Sequence, residues 1–293
     1  MPIILPISRS DMKPLTDAIP AVDVEPALQH KWEDLLDRLT SMKSILVAFS
    51  GGVDSGLLSV ASHFALRDKM LAVTIKTPVE INGSMDVASN LARQFGFAHR
   101  VIEYDDLGNA DFVANTPNRC YVCKQMDFKM LWELAHAEGY DYLIEGSNAD
   151  DTTDYRPGRR AAEEWKVTSP LVDLGFKKPE IRAIARSLGM ANWDRPSSPC
   201  LASRFPYGTR LTREGLEKVA AGEAYLQGLG FRIVRVRYGG AMARLEVDPA
   251  EITRLVSLRG EVVPYFKKLG FKYIVTDLEG YRQGSLNEVL IKK

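Results

Sequence analysis

Residues 44–56, Ser44-Ile45-Leu46-Val47-Ala48-Phe49-Ser50-Gly51-Gly52-Val53-Asp54-Ser55-Gly56, constrain the fold more than any other stretch. The opening apolar run has no alternation, which is how a strand buried on both faces of a parallel sheet reads. Ser50, Gly51 and Gly52 predict a tight turn. Asp54-Ser55 then opens a helix with apolar positions at Leu57, Leu58, Val60, Ala61 and Ala65. Glycines let backbone amides approach an anion closely, and the amides of a helix N-terminus point at it. Ser50 and Ser55 add hydroxyl donors. The run Ser50, Gly51, Gly52, Val53, Asp54, Ser55 is therefore expected to hold phosphate. It is not a Walker A loop, because no lysine follows Gly56.

This hexapeptide resembles the PP-loop of the ATP pyrophosphatase superfamily. The resemblance implies cleavage of ATP between the α and β phosphates, pyrophosphate held in the loop, and AMP placed on a substrate. The flanking sequence fits a doubly wound parallel α/β sheet of the PP-loop/HUP-like kind. Pro26–Met42 reads as a helix. Leu71–Ile75, Ala98–Tyr104, Tyr142–Ile144 and Thr168–Val172 read as further strands. Helices are expected from Ser84 to Phe95, after Lys124 to about Glu138, and from Lys178 to Leu188. Ligands of such sheets sit beyond the carboxyl ends of the strands. The loops after Phe49, Ile75 and Ile144, the last containing Gly146, should meet at one ATP. Asp54, Glu145, Asp150 and Asp151 are the carboxylates available to its Mg2+.

Residues 1–26 read as a loose leader and 27–210 as the ATP domain. Residues 211–293 read as a smaller α+β domain with an antiparallel sheet, in the order α, β, β, α, β. In that part Tyr225-Leu226-Gln227-Gly228-Leu229-Gly230-Phe231 is echoed by Tyr265-Phe266-Lys267-Lys268-Leu269-Gly270-Phe271.

Charge gives no general drive toward nucleic acid, since 38 Lys and Arg balance 38 Asp and Glu among 293 residues. The N-terminus lacks a basic start and a long apolar core, and no run approaches a membrane span of roughly 18 apolar residues. A cytoplasmic location is expected. There the three cysteines would be reduced thiols or metal ligands. Cys120-x-x-Cys123 can share a metal or cluster, form a redox pair, or hold two plain thiols. Cys200 lies in the Pro-rich loop Pro196–Cys200 and could face the same cleft. Three thiolates leave one position open, and a cluster on three cysteines leaves one iron for an outside ligand. Arg204 is a candidate phosphate clamp. Arg235 and Arg237 alternate on a strand, so one face carries two guanidinium groups suited to a phosphate or carboxylate. His30, His63, His99 and His136 are scattered and read as surface or packing residues.

From Ser44 onward the chain resembles the LarE family of sulfur insertases, which serve nickel-pincer nucleotide biosynthesis. The residues that carry the resemblance are Ser50–Ser55, Asn115-Thr116-Pro117, Asp154-Tyr155-Arg156-Pro157-Gly158, Cys200 with Ser203-Arg204-Phe205-Pro206-Tyr207-Gly208-Thr209, and Val234–Arg237. The resemblance implies ATP-dependent adenylylation of a carboxylate of pyridinium-3,5-biscarboxylic acid mononucleotide. Sulfur then replaces AMP to give a thiocarboxylate. Asp54 matches the loop aspartate near the phosphates, Glu223 the carboxylate on the helix before the strand, and Arg235 and Arg237 the second-domain arginines. Homo-oligomers, often hexamers, are implied. In the single-cysteine type, the residue at Cys200 gives up its own sulfur. This chain departs from that type by having Cys120 and Cys123 as well, and it matches the three-cysteine type. There a [4Fe-4S] cluster on Cys120, Cys123 and Cys200 carries an extra sulfide as the nucleophile, replenished from sulfide or a sulfur-donor protein. Other readings are a tRNA-thiolating PP-loop enzyme, a PP-loop ligase that transfers ammonia, and an ATP-binding iron sensor without catalysis.

Overall fold

The computed structural model describes residues 3–6, 21–80, 83–152, 157–196 and 199–290. In chain order the elements are β1 (Ile3–Pro6), α1 (Pro26–Ser41), β2 (Ile45–Ala48), α2 (Val53–Leu66), β3 (Met70–Lys76), α3 (Ser84–Phe95) and β4 (His99–Glu103). They continue with α4 (Ala110–Val113), α5 (Arg119–Glu138), β5 (Tyr142–Glu145), α6 (Pro157–Glu164), α7 (Pro170–Asp173) and α8 (Lys178–Ser187). The last are α9 (Arg213–Gly228), β6 (Val234–Gly239), β7 (Met242–Val247), α10 (Ile252–Ser257), α11 (Arg259–Lys268) and β8 (Tyr273–Thr276). Two compact units share them. The first comprises residues 1–77, 83–104 and 120–197, and the second 78–82, 105–119 and 198–293.

The first unit is built on one sheet in the order β1-β4-β3-β2-β5. Strands β2 to β5 are mutually parallel, as the unalternating apolar run of β2 requires. Both faces are covered. Ile45 and Val47 point into a core with Leu35, Leu39, Leu57 and Val60, while Leu46 points the other way, among Leu71, Val73, Phe128 and Leu131. Parallel strands end on the same edge, so the segments after Phe49, Ile75 and Ile144 emerge together there.

Three sequence readings in the first unit are corrected. Residues 3–6, expected in a loose leader, form an antiparallel edge strand on β4. Thr168–Val172, expected as a strand, contributes only one bridge, Thr168 to Ile144. Pro170 has no amide to extend the pairing, and its fixed φ starts the short helix α7 instead. The CxxC segment does not precede the helix to Glu138 but forms the first turn of α5.

In the second unit β6 and β7 form a hairpin, and β8 returns beside β7 in parallel. The expected antiparallel sheet is therefore mixed, because the α10–α11 crossover brings the chain back to the end where β7 began. The sequence echo has a structural basis. Gly230 and Gly270 have φ of +89° and +94°, and each is followed by a phenylalanine whose amide turns back to the helix, Phe231 to Leu226 O and Phe271 to Phe266 O, both at 3.2 Å. Tyr225 and Tyr265, at matching positions, stack on one another. Among the described residues no helix is long and apolar enough to cross a membrane.

Candidate functional site

The run Ser50–Ser55, expected to hold phosphate, forms a tight turn between β2 and α2. Gly51 has φ +75°, and a Cβ there would lie 2.9 Å from the Ser84 carbonyl oxygen, so both backbone and packing require glycine. Ser50 N donates to Ser55 Oγ at 3.2 Å, and the two hydroxyls are 3.0 Å apart. The first intrahelical bond is Gly56 N to Gly52 O, which leaves the amides of Val53, Asp54 and Ser55 without intrahelical acceptors. Asn192 Nδ2 donates to Gly51 O at 3.1 Å and steadies the turn. Gly146, from the loop after β5, lies where a Cβ would be 2.7 Å from the Ser55 amide nitrogen. The β2 and β5 loops thus close on one another, as the strand order requires.

Behind the loop, Thr74 Oγ1 donates to Phe49 O at 2.6 Å and meets His99 Nε2 at 2.8 Å. The hydroxyl has one proton, and the carbonyl takes it. His99 therefore donates from Nε2, as a neutral ring with Nδ1 bare. Nδ1 is buried with no hydrogen-bond partner, and burial holds the ring's pKa down to about 4.

Sequence reading missed Lys178, at the N-terminus of α8. Its ammonium bonds Asp54 Oδ2 at 2.5 Å, and its amide donates to Asp150 Oδ2 at 2.8 Å. The loop thus has a lysine after all, supplied by the chain after β5 rather than by the next helical turn. Asp54 Oδ1 is buried without a hydrogen-bond partner. Glu145 is buried and accepts from Ser169 Oγ and the Ser147 amide, and Asp151 accepts from the Asn148 amide. Asp151 is thus bonded within its own loop, and Glu145 both within its loop and to Ser169 before α7.

Cys120 and Cys123 stand three residues apart on the first turn of α5, on neighbouring positions of one helix face. Cys120 is exposed and Cys123 half-buried. Cys123 Sγ donates to Asp127 Oδ2 at 3.7 Å. Burial raises Asp127 to about 6, against the pull of Lys124 and the bonds from Cys123 and Tyr104. Lys124 sits 3.8 Å from Glu145. Burial disfavours its charge, but Glu145, Asp127 and the two thiols outweigh that and raise its pKa. Asp154, Tyr155 and Arg156 lie outside the described residues.

In the second unit Cys200 caps a short 3-10 turn, Leu201–Arg204. Arg204 is 1% exposed. Its Nε and Nη2 pair with both oxygens of Glu223 at 2.7 and 2.9 Å, and Nη1 bonds Pro199 O and Ser203 Oγ, each at 2.8 Å. The expected phosphate clamp is an internal brace. Arg237 pairs with both oxygens of Glu246 at 2.9 and 2.8 Å and also donates to Ser203 O. Arg235 shares its strand face, is buried, and stacks on the Tyr281 ring at 4.8 Å. Burial and the neighbouring Arg204 lower its pKa, with Glu223 opposing. All three cysteines are thiols. Among the described residues no group of three His, Cys, Asp or Glu side chains is gathered as a metal site.

No family model matches the chain. An uncharacterized protein of Synechocystis sp. is 41% identical over 267 residues, 90% of this chain and 100% of that protein. The pyridinium-3,5-bisthiocarboxylic acid mononucleotide synthase of Lactiplantibacillus plantarum is 36% identical over 266 residues, 90% of this chain and 96% of that enzyme. An uncharacterized protein of Methanocaldococcus jannaschii is 32% identical over 240 residues, 82% of this chain and 91% of that protein. With a loop of this geometry at the carboxyl edge of a parallel sheet, and that identity along nearly the whole length of a named enzyme, the chain belongs to the LarE family of sulfur-inserting PP-loop synthases.

Proposed function

We propose that this enzyme uses ATP to adenylylate a carboxylate of pyridinium-3,5-biscarboxylic acid mononucleotide and then replaces the adenylate with sulfur. A substrate carboxylate oxygen attacks the α phosphorus and pyrophosphate leaves. A sulfur nucleophile then adds to the activated carbonyl, AMP leaves with its phosphate oxygen, and a thiocarboxylate remains.

The phosphate loop carries this reading. The α2 amides, Ser50 and Ser55 receive pyrophosphate, and Gly51 and Gly146 keep the approach open. Lys178 supplies the cation that a Walker lysine would supply elsewhere. The bare, buried Asp54 Oδ1 suits the Mg2+ that accompanies ATP, with Asp150 the second carboxylate nearby. Arg235, with Arg237 beside it, is the cationic face proposed for the phosphate or carboxylate of the mononucleotide.

Three thiols, two of them on one helical turn, are the donor type an iron–sulfur cluster takes and would leave one iron for an outside ligand. Cys120, Cys123 and Cys200 would hold a [4Fe-4S] cluster. When bound, it would supply a sulfide nucleophile at neutral pH, so that no cysteine is consumed. The test is anaerobic reconstitution followed by iron and acid-labile sulfide analysis, with turnovers counted against the mononucleotide. About four irons and four or more sulfides per chain, with repeated turnover, are expected. Protein that holds neither and stops after one turnover, with Cys200 lighter by its sulfur, would establish the sacrificial route instead. A homo-oligomer and a sulfide-supplying partner belong to the same proposal. Size measurement in solution and turnover on added sulfide check them.

A further inference from the structure

The turn that presents Cys200 is held largely by arginine side chains. Pro199 O accepts from Arg204 Nη1 at 2.8 Å. Cys200 O accepts from Ser203 Oγ at 2.8 Å, and Ser203 is itself bonded by Arg204. Ala202 O accepts from Arg119 Nη1 at 3.0 Å, and Ser203 O from Arg237 Nη1 at 2.9 Å. Three guanidinium groups therefore hold four carbonyls of a five-residue segment, Arg204 Nη1 also reaching Cys200 O at 3.4 Å. None of these bonds is needed to form the turn, whose own Ser203 N to Cys200 O bond already closes it.

Burying a guanidinium is costly unless it is paired and bonded. Arg204 is paired with Glu223, which also accepts the Val236 amide at 2.9 Å, so the brace is tied to α9 and β6. Arg119 is 3% exposed. Asn115 orients it through a side-chain bond and donates onward to Pro206 O and Thr209 O at 2.9 and 3.0 Å. Asn115 has φ +52°, a conformation open to asparagine and poor for most residues. Placing the charged ends of long side chains on main-chain carbonyls fixes the direction of the Cys200 peptide, which an apolar anchor could not do.

We propose that Arg119 and Arg204 are positioning residues for Cys200: they set the orientation in which its thiol is presented, without touching substrate. This rests on reading Cys200 as a sulfur-handling residue, but the test below does not depend on how sulfur is delivered. In full-length protein carrying Cys120→Ser and Cys123→Ser, Cys200 is the only thiol, and its alkylation rate with iodoacetamide reports its presentation. Arg119→Gln should change that rate threefold or more at fixed pH, with thermal unfolding still cooperative, and Arg119→Lys should recover at least half of the change. In the three-cysteine protein the same Gln variant should lower the kcat of sulfur insertion about tenfold while leaving the KM for ATP in pyrophosphate release within twofold. An alkylation rate within threefold of the parent in folded Arg119→Gln overturns the proposal. If the Gln variant does not fold, the same threefold criterion applied to Arg204→Lys decides.

Discussion

Lys178 places its ammonium 2.5 Å from Asp54 Oδ2, across 124 residues of sequence. The pair joins the first turn of α2 to the first turn of α8, so the loop after β2 and the segment after β5 are tied together at the place proposed for the ATP phosphates. A charge-assisted bond of this kind contributes about 1.5–3 kcal/mol, a factor of roughly 10 to 100 in a rate or equilibrium. Lys178→Met should therefore lower kcat/KM for ATP-dependent pyrophosphate release by about that factor. Lys178→Arg should retain part of it. Unchanged pyrophosphate release in folded Lys178→Met would remove the lysine from the phosphate site.

Gly146 is required for contact rather than conformation. A Cβ there meets the backbone of Ser55 at 2.7 Å, and backbone cannot swing aside. Gly146→Ala should cost about 1–3 kcal/mol of stability and raise the KM for ATP. Gly260→Ala, in α11 where a Cβ meets nothing within 4 Å, should be neutral or stabilising. Equal effects from the two substitutions would show that the closure of the two loops is not what glycine serves.

His99 makes stability pH-dependent with a definite sign. The folded ring has a pKa of about 4 against 6.5 for an ordinary histidine. Between those values the unfolded chain binds the extra proton and the folded chain does not. Stability is fully present above pH 6.5, falls as the pH drops, and levels off near 4. The loss is of order 3 kcal/mol. Denaturant titrations of the parent and His99→Gln between pH 7 and 4 test this. The parent should lose stability more steeply, and parallel slopes would place the acid sensitivity elsewhere.

Tyr225 and Tyr265 stack with centroids 3.7 Å apart and planes 7° from parallel. Such pairs contribute about 0.5–1.5 kcal/mol beyond burial. Tyr265→Ala should speed amide hydrogen exchange at residues 225–231 as well as 265–271, by roughly three- to tenfold. Acceleration confined to the substituted helix would mean the rings touch without coupling the two helix ends.

What could be read from sequence was local or periodic. The run from Ile45 to Ala48 announces a doubly buried strand, the Gly51-Gly52 turn announces its loop, and Gly96 announces the end of α3. Each signal lies within a few residues of the feature it specifies. Errors arose where a short apolar string had two solutions. Thr168–Val172 has strand composition, but Pro170 forbids the ladder. Ile3–Pro6 is too short to show a period, yet β4 offered it an open edge. In the site, Asp54 and Gly146 were legible because loop chemistry or strand order implies them. Lys178 and Arg119 were not, because a lone lysine or arginine acquires meaning only from the carboxylate or carbonyl that folding places beside it. Arg204 was noticed but assigned to phosphate, since nothing in its neighbourhood of sequence reveals Glu223.

The second unit takes its residues from 78–82, 105–119 and 198–293, so the chain passes between the units five times. Asn115 and Arg119 must leave the ribosome long before the carbonyls of Ala202, Pro206 and Thr209 that they will hold. No single cut releases this unit whole. A fragment beginning at residue 211 would lack both the Cys200 turn and the segment that grips it.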